Sequence, residues 1–377
     1  MRIARILIVS CLVCASNILF AQDTTEHNSL VQAGTANVTV EADAHDSHSS
    51  HDGGEFDPTE VIMHHIKDAH SWHFFDRISK ATGEECAVEL PLPIILITDG
   101  HLDIFLSSAF EGGKTVVNKN GREYIMHHET IYLAESGKLT HDAEGNITNA
   151  KPIDLSITKN VASMMVSAVL LLLIFVGTAR GYKKEGAVPT GLRGFTEPLI
   201  LFVKDDIAVP NLGEEHYKKY LPYLLTLFFF IWINNMLGLF PVGANLTGNI
   251  AVTFVLAFLT LLITNFSGTK HYWKDIINTT GVPWWLQPIM TIVEFVGIIS
   301  KPFALMIRLF ANITAGHIIV LSLVSLIFIF QTIAMAPVSI LFVLFMDVLE
   351  LLVAALQAYI FTMLTALFIG LAIKEEE

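Results

Sequence analysis

A single arginine lies inside a long apolar stretch near the C-terminal end of the chain. The segment KPFALMIRLFANITAGH covers residues 301–317, and the arginine is Arg308. Arginine keeps its proton in proteins, so a full positive charge remains in a stretch with the composition of a membrane span. A charge at bilayer depth costs about 3 kcal/mol or more and marks a functional site. Arg308 is therefore the first candidate functional residue.

Other polar residues stand at helical spacing from this arginine. Asn312 follows it by four residues and is predicted to share its helix face. His317 lies roughly 13 Å farther along a helix and about half a turn round, and Glu294 lies roughly 21 Å in the other direction. These titratable groups are candidates for a proton relay, because together they extend over much of a membrane span.

A second polar group occurs in FMDVLELLVAALQAY, which contains Asp347, Glu350 and Gln357. Glu350 and Gln357 are seven residues apart and are predicted to face almost the same way. One interpretation is structural, with Arg308 neutralised by Glu350 or Asp347 in a buried pair between helices. We favour the relay, because desolvation cancels much of the attraction in such pairs.

The elements that position these residues are predicted to be membrane helices. Hydrophobic residues make up 53% of the chain and charged residues 16%, a composition typical of a membrane protein. Apolar stretches predict spans at 161–179, 221–240, 249–266, 284–330 and 333–373. The last two are each about twice the length of a perpendicular span. They are either pairs of ordinary spans or, as we favour, two long tilted helices forming a hairpin.

Charges around these spans predict the orientation of the chain. The basic RGYKK at 180–184 follows the first span, and Lys270 and Lys274 follow the third. Both positions fit the positive-inside rule, which places residues 22–155 outside and the C-terminus in the cytoplasm. The charged residues 190–220 are predicted to lie on the inner surface.

The N-terminal part is predicted to be extracytoplasmic. Residues 1–21 resemble a signal peptide cleaved near Ala21, and lipidation at Cys11 is the alternative. Residues 22–155 hold 8 basic and 23 acidic residues, a net charge of −15. Within them, 22–60 is predicted to be a disordered acidic, His-rich linker, and 61–155 a small α+β domain.

Two turn signals and one helical pattern describe that domain in more detail. Asp99-Gly100 and Asn120-Gly121 lie between strand-like runs and predict hairpins of an antiparallel meander. The spacing of VIMHHIKDAHSWHFF, residues 61–75, predicts a helix. The predicted fold class is thus an all-α polytopic membrane protein with about five crossings, preceded by a small α+β extracytoplasmic domain.

Histidines in the N-terminal part raise the question of a metal site. A weak candidate cluster for zinc or copper consists of His45, His48, His51, His64 and His65. That cluster would suit a metal-sensing receptor. A solvated linker that contains histidines is the simpler interpretation, so no metal is predicted.

The motif RLFANITAG resembles that of subunit a of the F-type ATP synthase, the membrane stator subunit. FIWINNMLGLFP (230–241), EFVGIISKP (294–302) and the segment around Gln357 support the resemblance, which covers roughly 156–373. The resemblance implies that Arg308 faces a carboxylate of the rotating c ring, with Asn312 and Gln357 close to it. Many relatives have a carboxylate in place of His317 and a histidine in place of Glu350, so this pair is exchanged here.

The resemblance also implies a function, its partners and a setting in the bacterial cell inner membrane. The chain is expected to conduct protons through two half-channels, with Glu294, His317, Glu350 and Asp347 as relay groups. Expected partners are the c-subunit ring, the peripheral stalk b subunits, the remaining ATP synthase complex and membrane lipid. No phosphate-binding loop is present, so we expect no nucleotide-binding or catalytic site, no cofactor and no nucleic acid partner. A secondary transporter binding an anionic substrate at Arg308 is the alternative, and it would favour inverted repeats.

Overall fold

The computed structural model describes residues 68–78, 85–113, 115–134, 138–142, 147–182, 191–239, 244–277, 282–330 and 335–374. The chain divides into two compact units. Among the described residues, one unit contains the strands and the first turn of the first long helix, and we call its residues 68–158 the strand domain. The other contains nearly all of the remaining helical chain and is called the membrane unit.

The strand domain is built from antiparallel sheets. Its described strands are Ser71–Ile78 (β1), Glu85–Pro91 (β2), Pro93–Thr98 (β3), His101–Leu106 (β4), Val117–Lys119 (β5), Arg122–His127 (β6), Thr130–Leu133 (β7) and Ile153–Asp154 (β8). They form sheets of order β1-β2, β4-β3-β8 and β5-β6-β7. The β content and the antiparallel meander predicted for this region are confirmed.

Both predicted hairpin turns are present. Asp99 and Gly100 join β3 to β4 with φ of 50° and 77°, and Asn120 and Gly121 join β5 to β6 with φ of 53° and 80°. Two successive residues with positive φ form the tight turn whose twist matches that of the flanking strands. Asn, Asp and Gly adopt this conformation at little cost.

The helix predicted over 61–75 is wrong where the structure describes it. Residues 71–75 belong to β1, which pairs with β2 and has an irregular register between His73 and Phe75. The stretch SWHFF is rich in aromatic residues, which favour strands, and pairing with β2 outweighs the apparent helical spacing. Residues 61–67 lie outside the described part of the chain.

A small core joins two of the three sheets. Ile94 and Leu96 of β3 are fully buried and pack with Phe110, Tyr124 and Ile131. Alternate residues of one strand thus supply the buried face, as expected for a sheet covered on one side.

A buried carboxylate also links these sheets. Asp103 of β4 is fully buried and accepts hydrogen bonds of 2.7 Å from both Arg122 and Tyr124 of β6. Asn120 donates to the same carboxylate. Because burying an unpaired carboxylate is costly, this network holds β4 and β6 in one relative position.

The described helices are Lys159–Gly181 (α1), Leu192–Phe202 (α2), Val209–Gly238 (α3), Ile250–Ser267 (α4), Lys270–Ile277 (α5), Gln287–Phe330 (α6) and Met335–Ile373 (α7). Five helical segments within them are long and apolar enough to cross a membrane. The predicted spans therefore have their counterparts, and the two long apolar stretches are each a single helix. This confirms the predicted long helices over the alternative of four shorter spans.

The segment predicted to lie on the inner surface, residues 190–220, is mostly helical where the structure describes it. Residues 192–202 form α2, a π-helical stretch Val203–Ala208 follows, and α3 begins at Val209 rather than at the predicted 221. Proline in its first turn suits a helix start, and Gly213 with φ of 74° then kinks the helix. The placement of this segment at the inner surface stays a prediction.

The core of the membrane unit lies mainly between α3 and α7. Leu224, Leu227 and Ile231 of α3 are buried in the same cluster as Ala358 and Phe361 of α7. Small residues such as alanine let two helix backbones approach closely, which is how membrane helices gain packing energy. Helix α7 is therefore held from one side, and its opposite side is exposed.

Candidate functional site

Helix α6 presents two different faces around the arginine. Leu305, Leu309 and Ile313 form a buried stripe at helical spacing. Arg308 and Asn312 lie to one side of this stripe, and both are exposed. Arg308 therefore shares an exposed, mostly apolar helix face with Asn312, as the spacing predicted.

The charge of Arg308 has no partner within the described part of the chain. Its guanidinium forms neither a hydrogen bond nor an ion pair with any described side chain. The exposed neighbours Phe303 and Ile307 are apolar. The structural interpretation, in which Glu350 or Asp347 neutralises Arg308, is wrong for the structure as described. An unpaired cation on an apolar face is costly unless another molecule supplies its counter-charge.

Two contacts show how α6 and α7 are aligned. The Nζ atom of Lys301 lies 5.8 Å from the centroid of the Phe368 ring. Farther along α6, Nε2 of His317 lies 3.8 Å from Oε1 of Glu350. Residue numbers rise on one helix as they fall on the other, so the helices are antiparallel and form the predicted hairpin.

This alignment places Gln357 near the level of Arg308. Arg308 lies between the two contacts, and interpolation sets it within roughly 5 Å of Gln357 along the helix axis. Gln357 is only 4% exposed, whereas Arg308 is exposed. No hydrogen bond joins these two described side chains. The structure thus brings them to one level but on differently exposed surfaces.

His317 and Glu350 form the closest contact between predicted site residues on the two helices. Glu350 is 6% exposed, and its Oε1 has no hydrogen-bond partner among the described residues. A Cβ atom built on Gly316 would lie 2.9 Å from that oxygen. Glycine at this position therefore leaves the space that the Glu350 carboxylate occupies.

The other predicted relay groups, Asp347 and Glu294, do not take part in this contact. Asp347 is exposed on α7, one turn before Glu350. Glu294 is half-buried on α6. The pKa of the Tyr272 phenol on α5 is raised mainly because the phenol is partly buried, and in addition by the negative charge of Glu294. Glu294 is thus close to α5, whereas His317 contacts α7.

The weak metal candidate cannot be placed. His45, His48, His51, His64 and His65 all lie outside the described residues. Within the described ranges, no group of three or more His, Cys, Asp or Glu side chains has a metal-binding arrangement.

Several buried polar residues were not predicted as part of the site. Asn235 of α3 is 2% exposed, donates a 3.2 Å hydrogen bond to the Ala354 carbonyl of α7, and accepts one from Thr247. The hydroxyl groups of Tyr223 and Thr260 are 3.0 Å apart and join α3 to α4. Polar residues inside apolar spans are the sequence signal that these positions carry.

Comparison with known proteins identifies the family. The model of the family described as ATP synthase A chain matches residues 161–370, and that of a domain of unknown function, DUF8433, matches 61–155. An ATP synthase subunit a 2 of Chlorobaculum tepidum is 41% identical over 308 residues, which cover 78% of this chain and 84% of that protein.

Two further relatives agree. An ATP synthase subunit a of Chloroherpeton thalassium is 46% identical over 231 residues, covering 59% of this chain and 68% of that protein. One of Myxococcus xanthus is 46% identical over 228 residues, covering 59% and 74%. With its five membrane-length helical segments and this similarity, the chain belongs to the family of F-type ATP synthase subunit a, a multi-pass membrane component of the ATP synthase complex.

Proposed function

We propose that this chain is the proton-conducting stator subunit of its ATP synthase and that Arg308 is the fixed charge separating two half-channels. The observation that carries this proposal is the exposed guanidinium of Arg308 on an apolar face of α6, which has no partner among the residues that the structure describes. Such a charge needs a counter-charge from another molecule. A carboxylate on a passing c subunit would supply it.

The chemistry follows from the cost of charge in lipid. A c-ring carboxylate turns through lipid only when it is neutral, because the bare charge is expensive there. Beside Arg308 its ionised form is favoured, so it releases its proton before it passes. Each proton must then enter from one side and leave on the other. Moving one charge down 100 mV releases about 2.3 kcal/mol, which drives rotation.

The relay groups lie on both sides of the arginine, as two half-channels require. His317 lies roughly 13 Å from Arg308 along α6, and Glu294 roughly 21 Å in the opposite direction. We assign His317 and Glu350 to one path, supported by their 3.8 Å contact, and Glu294 to the other. Asp347, near Glu350, belongs to the first path. Asn312 and Gln357 flank the arginine and orient the arriving carboxylate.

We propose the following organisation and setting. Residues 1–21 are a signal peptide, 22–60 a linker, 61–155 an extracytoplasmic domain, and 156–377 the membrane domain. The family matches at 61–155 and 161–370 support the last two boundaries. The chain resides in the bacterial inner membrane with its C-terminus in the cytoplasm, and it contacts the c ring and the peripheral stalk b subunits. Arg180 at the end of α1 supports this orientation.

Exchange of the arginine tests the proposal. ATP-driven acidification is measured in vesicles containing the purified complex. Arg308→Ala and Arg308→Lys should each abolish at least nine tenths of the pumping rate while the complex stays assembled, because a flexible ammonium presents its charge differently from a planar guanidinium. Lys204→Arg, a related exchange at a half-exposed position that keeps the positive charge beside Asp205, should pump normally. Normal pumping by Arg308→Lys would contradict a geometrically specific charge.

A further inference from the structure

One sheet of the strand domain has apolar residues on both faces. The inward face of β3 carries the buried Ile94 and Leu96. On the opposite face the cross-strand pairs are Pro93 with Leu106, Ile95 with Ile104, and Ile97 with both Leu102 and Ile153. We call this outward surface of β4-β3-β8 the apolar sheet face. Leu102, Ile104, Leu106 and Ile153 on it are 54%, 53%, 50% and 56% exposed.

The other packed sheet of the same domain provides a comparison. On the outward surface of β5-β6-β7, Asn118 pairs with Glu123, and Ile125 with Tyr132. The Nζ atom of Lys151 lies 5.5 Å from the centroid of the Tyr132 ring. This surface is polar or capped by a charge, as usual for a sheet with one solvated side. The apolar sheet face departs from that pattern, and contiguous exposed apolar patches mark interaction surfaces.

The size of the apolar sheet face restricts its partner. Four half-exposed branched side chains present on the order of 400 Å² of surface. A stable free-standing complex buries about 800 Å² on each partner. The face is therefore too small to hold an independent protein by itself. It suffices for a partner kept at high effective concentration by other contacts in the same assembly.

Charge disfavours two other occupants. Residues 61–155 hold 14 acidic and 8 basic residues, a net charge of −6. A second copy of this domain would meet it with the same charge, and an anionic lipid surface would repel it as well. The partner surface that fits is apolar and free of excess negative charge.

The short stretch of chain between this sheet and the first membrane-length helix agrees with a partner in the membrane complex. The chain after β8 continues to pair with β3, because Leu155 N donates to Ile95 O at 2.8 Å and Ile157 N to Pro93 O at 3.0 Å. Helix α1 begins two residues later, at Lys159. The apolar sheet face therefore begins within a few residues of a membrane-length helix.

From these observations we propose that the apolar sheet face docks onto another subunit of the same ATP synthase complex through an apolar, non-acidic surface of that subunit. The inference depends on membership of the complex and not on the proton path. If the Arg308 experiment contradicts the proposed proton path, the docking proposal is unaffected. If the docking proposal fails, the proposed proton path is likewise unaffected.

Photo-crosslinking in the intact complex tests the proposal. Benzoylphenylalanine is introduced at Ile104 and, as the matched control, at Asn118 on the polar outward surface. After irradiation of native membranes and of the purified complex, adducts are identified by mass spectrometry. We expect an adduct between this chain and one other subunit of the complex from Ile104, at least tenfold more abundant than any adduct from Asn118.

Four results would overturn the inference. The main adduct from Ile104 could join a second copy of this chain, lipid, or the chain's own membrane unit, or there could be no adduct above the Asn118 control. Leu102 serves as a second crosslinking position if the Ile104 variant does not accumulate. In addition, Ile104→Glu should weaken the crosslink from Leu102 at least tenfold, while pumping per assembled complex stays unchanged. An unchanged crosslink would also contradict docking through this face.

Discussion

His317 and Glu350 face each other across the α6-α7 hairpin, with 3.8 Å between Nε2 and Oε1. The carboxylate is almost fully buried, and the described residues provide no hydrogen bond to that oxygen. A buried carboxylate without a partner is expensive, and the His317 imidazole is the basic group in contact with it that can offset this cost.

The first prediction concerns this coupling. His317→Ala and Glu350→Gln should each slow proton flux at least fivefold, because each removes one titratable group from the path. The double variant should lose less than the product of the two single losses, because residues in contact are not additive. Passive proton flux is measured in vesicles after removal of the catalytic head. If the loss of flux in the double variant equals the product of the two single losses, the two residues lie on separate paths.

A matched variant separates this effect from helix packing. Ser339 of α7 donates a hydrogen bond to the Leu323 carbonyl of α6, so Ser339→Ala also removes a contact between the same two helices. Serine has no titratable group, so this variant changes the helix contact without changing the proton path. The proton flux of Ser339→Ala should therefore stay within a factor of two of that of the unmodified protein.

The second prediction concerns the glycine beside the carboxylate. Gly316→Ala places a methyl group 2.9 Å from Glu350 Oε1 and 3.0 Å from its Cδ, so the carboxylate must move. Proton flux should fall at least fivefold, and Glu350→Asp, which is shorter by one methylene, should restore part of it. Gly297→Ala on the same helix meets no atom within 4 Å and should leave flux unchanged. Normal flux in Gly316→Ala would show that the position of the carboxylate does not matter.

Sequence patterns predicted the features of this fold that depend on local chemistry. The turns at Asp99-Gly100 and Asn120-Gly121 follow from residues that tolerate positive φ, and the long helices follow from unbroken apolar length. The exposed position of Arg308 beside Asn312 follows from helical spacing.

Features that depend on contacts between distant segments were not predictable in this way. The two-residue strand Ile153–Asp154 exists because it pairs with β3, some 60 residues earlier, and its own sequence carries little strand signal. The aromatic stretch of β1 has helical spacing as well as strand propensity, and only pairing with β2 decides between them. Likewise, spacing along α6 gives no information about which residue of α7 meets Gly316.

The third prediction concerns a buried histidine of the strand domain. His70 is 6% exposed, its Nε2 lies 2.9 Å from Oδ2 of Asp154, and its Nδ1 lies 3.5 Å from Oε2 of Glu129. Its backbone N–H also donates to Glu129. Nearby, Asp68 accepts hydrogen bonds from the backbone of Ala69 and of Asn160 at the start of α1. His70 thus joins the turn after β6 to the end of β8.

The electrostatics of this cluster set the pH range of its effect. Burial opposes the charged imidazole, but the hydrogen bonds and charges of Asp154 and Glu129 outweigh burial and raise the pKa of His70 to about 9 from 6.5. The folded state therefore binds a proton more tightly than the unfolded state. The stabilisation is complete below pH 6.5 and is lost as the pH rises to about 9, with an upper bound of about 3 kcal/mol.

Denaturation of the full-length chain as a function of pH tests this prediction. The chain is equilibrated in urea at each pH and then transferred to pH 8 for a brief protease pulse. Cleavage within the strand domain reports the unfolded fraction, from which the urea midpoint at each pH is obtained. The midpoint should fall between pH 7 and pH 9.5. His70→Gln should lower the midpoint at pH 7 and remove most of this pH dependence, because the imidazolium no longer forms. His101→Gln, at an exposed histidine of β4, should retain the pH dependence of the unmodified chain. A midpoint that does not change with pH in the unmodified chain would show that His70 is not charged in the folded domain.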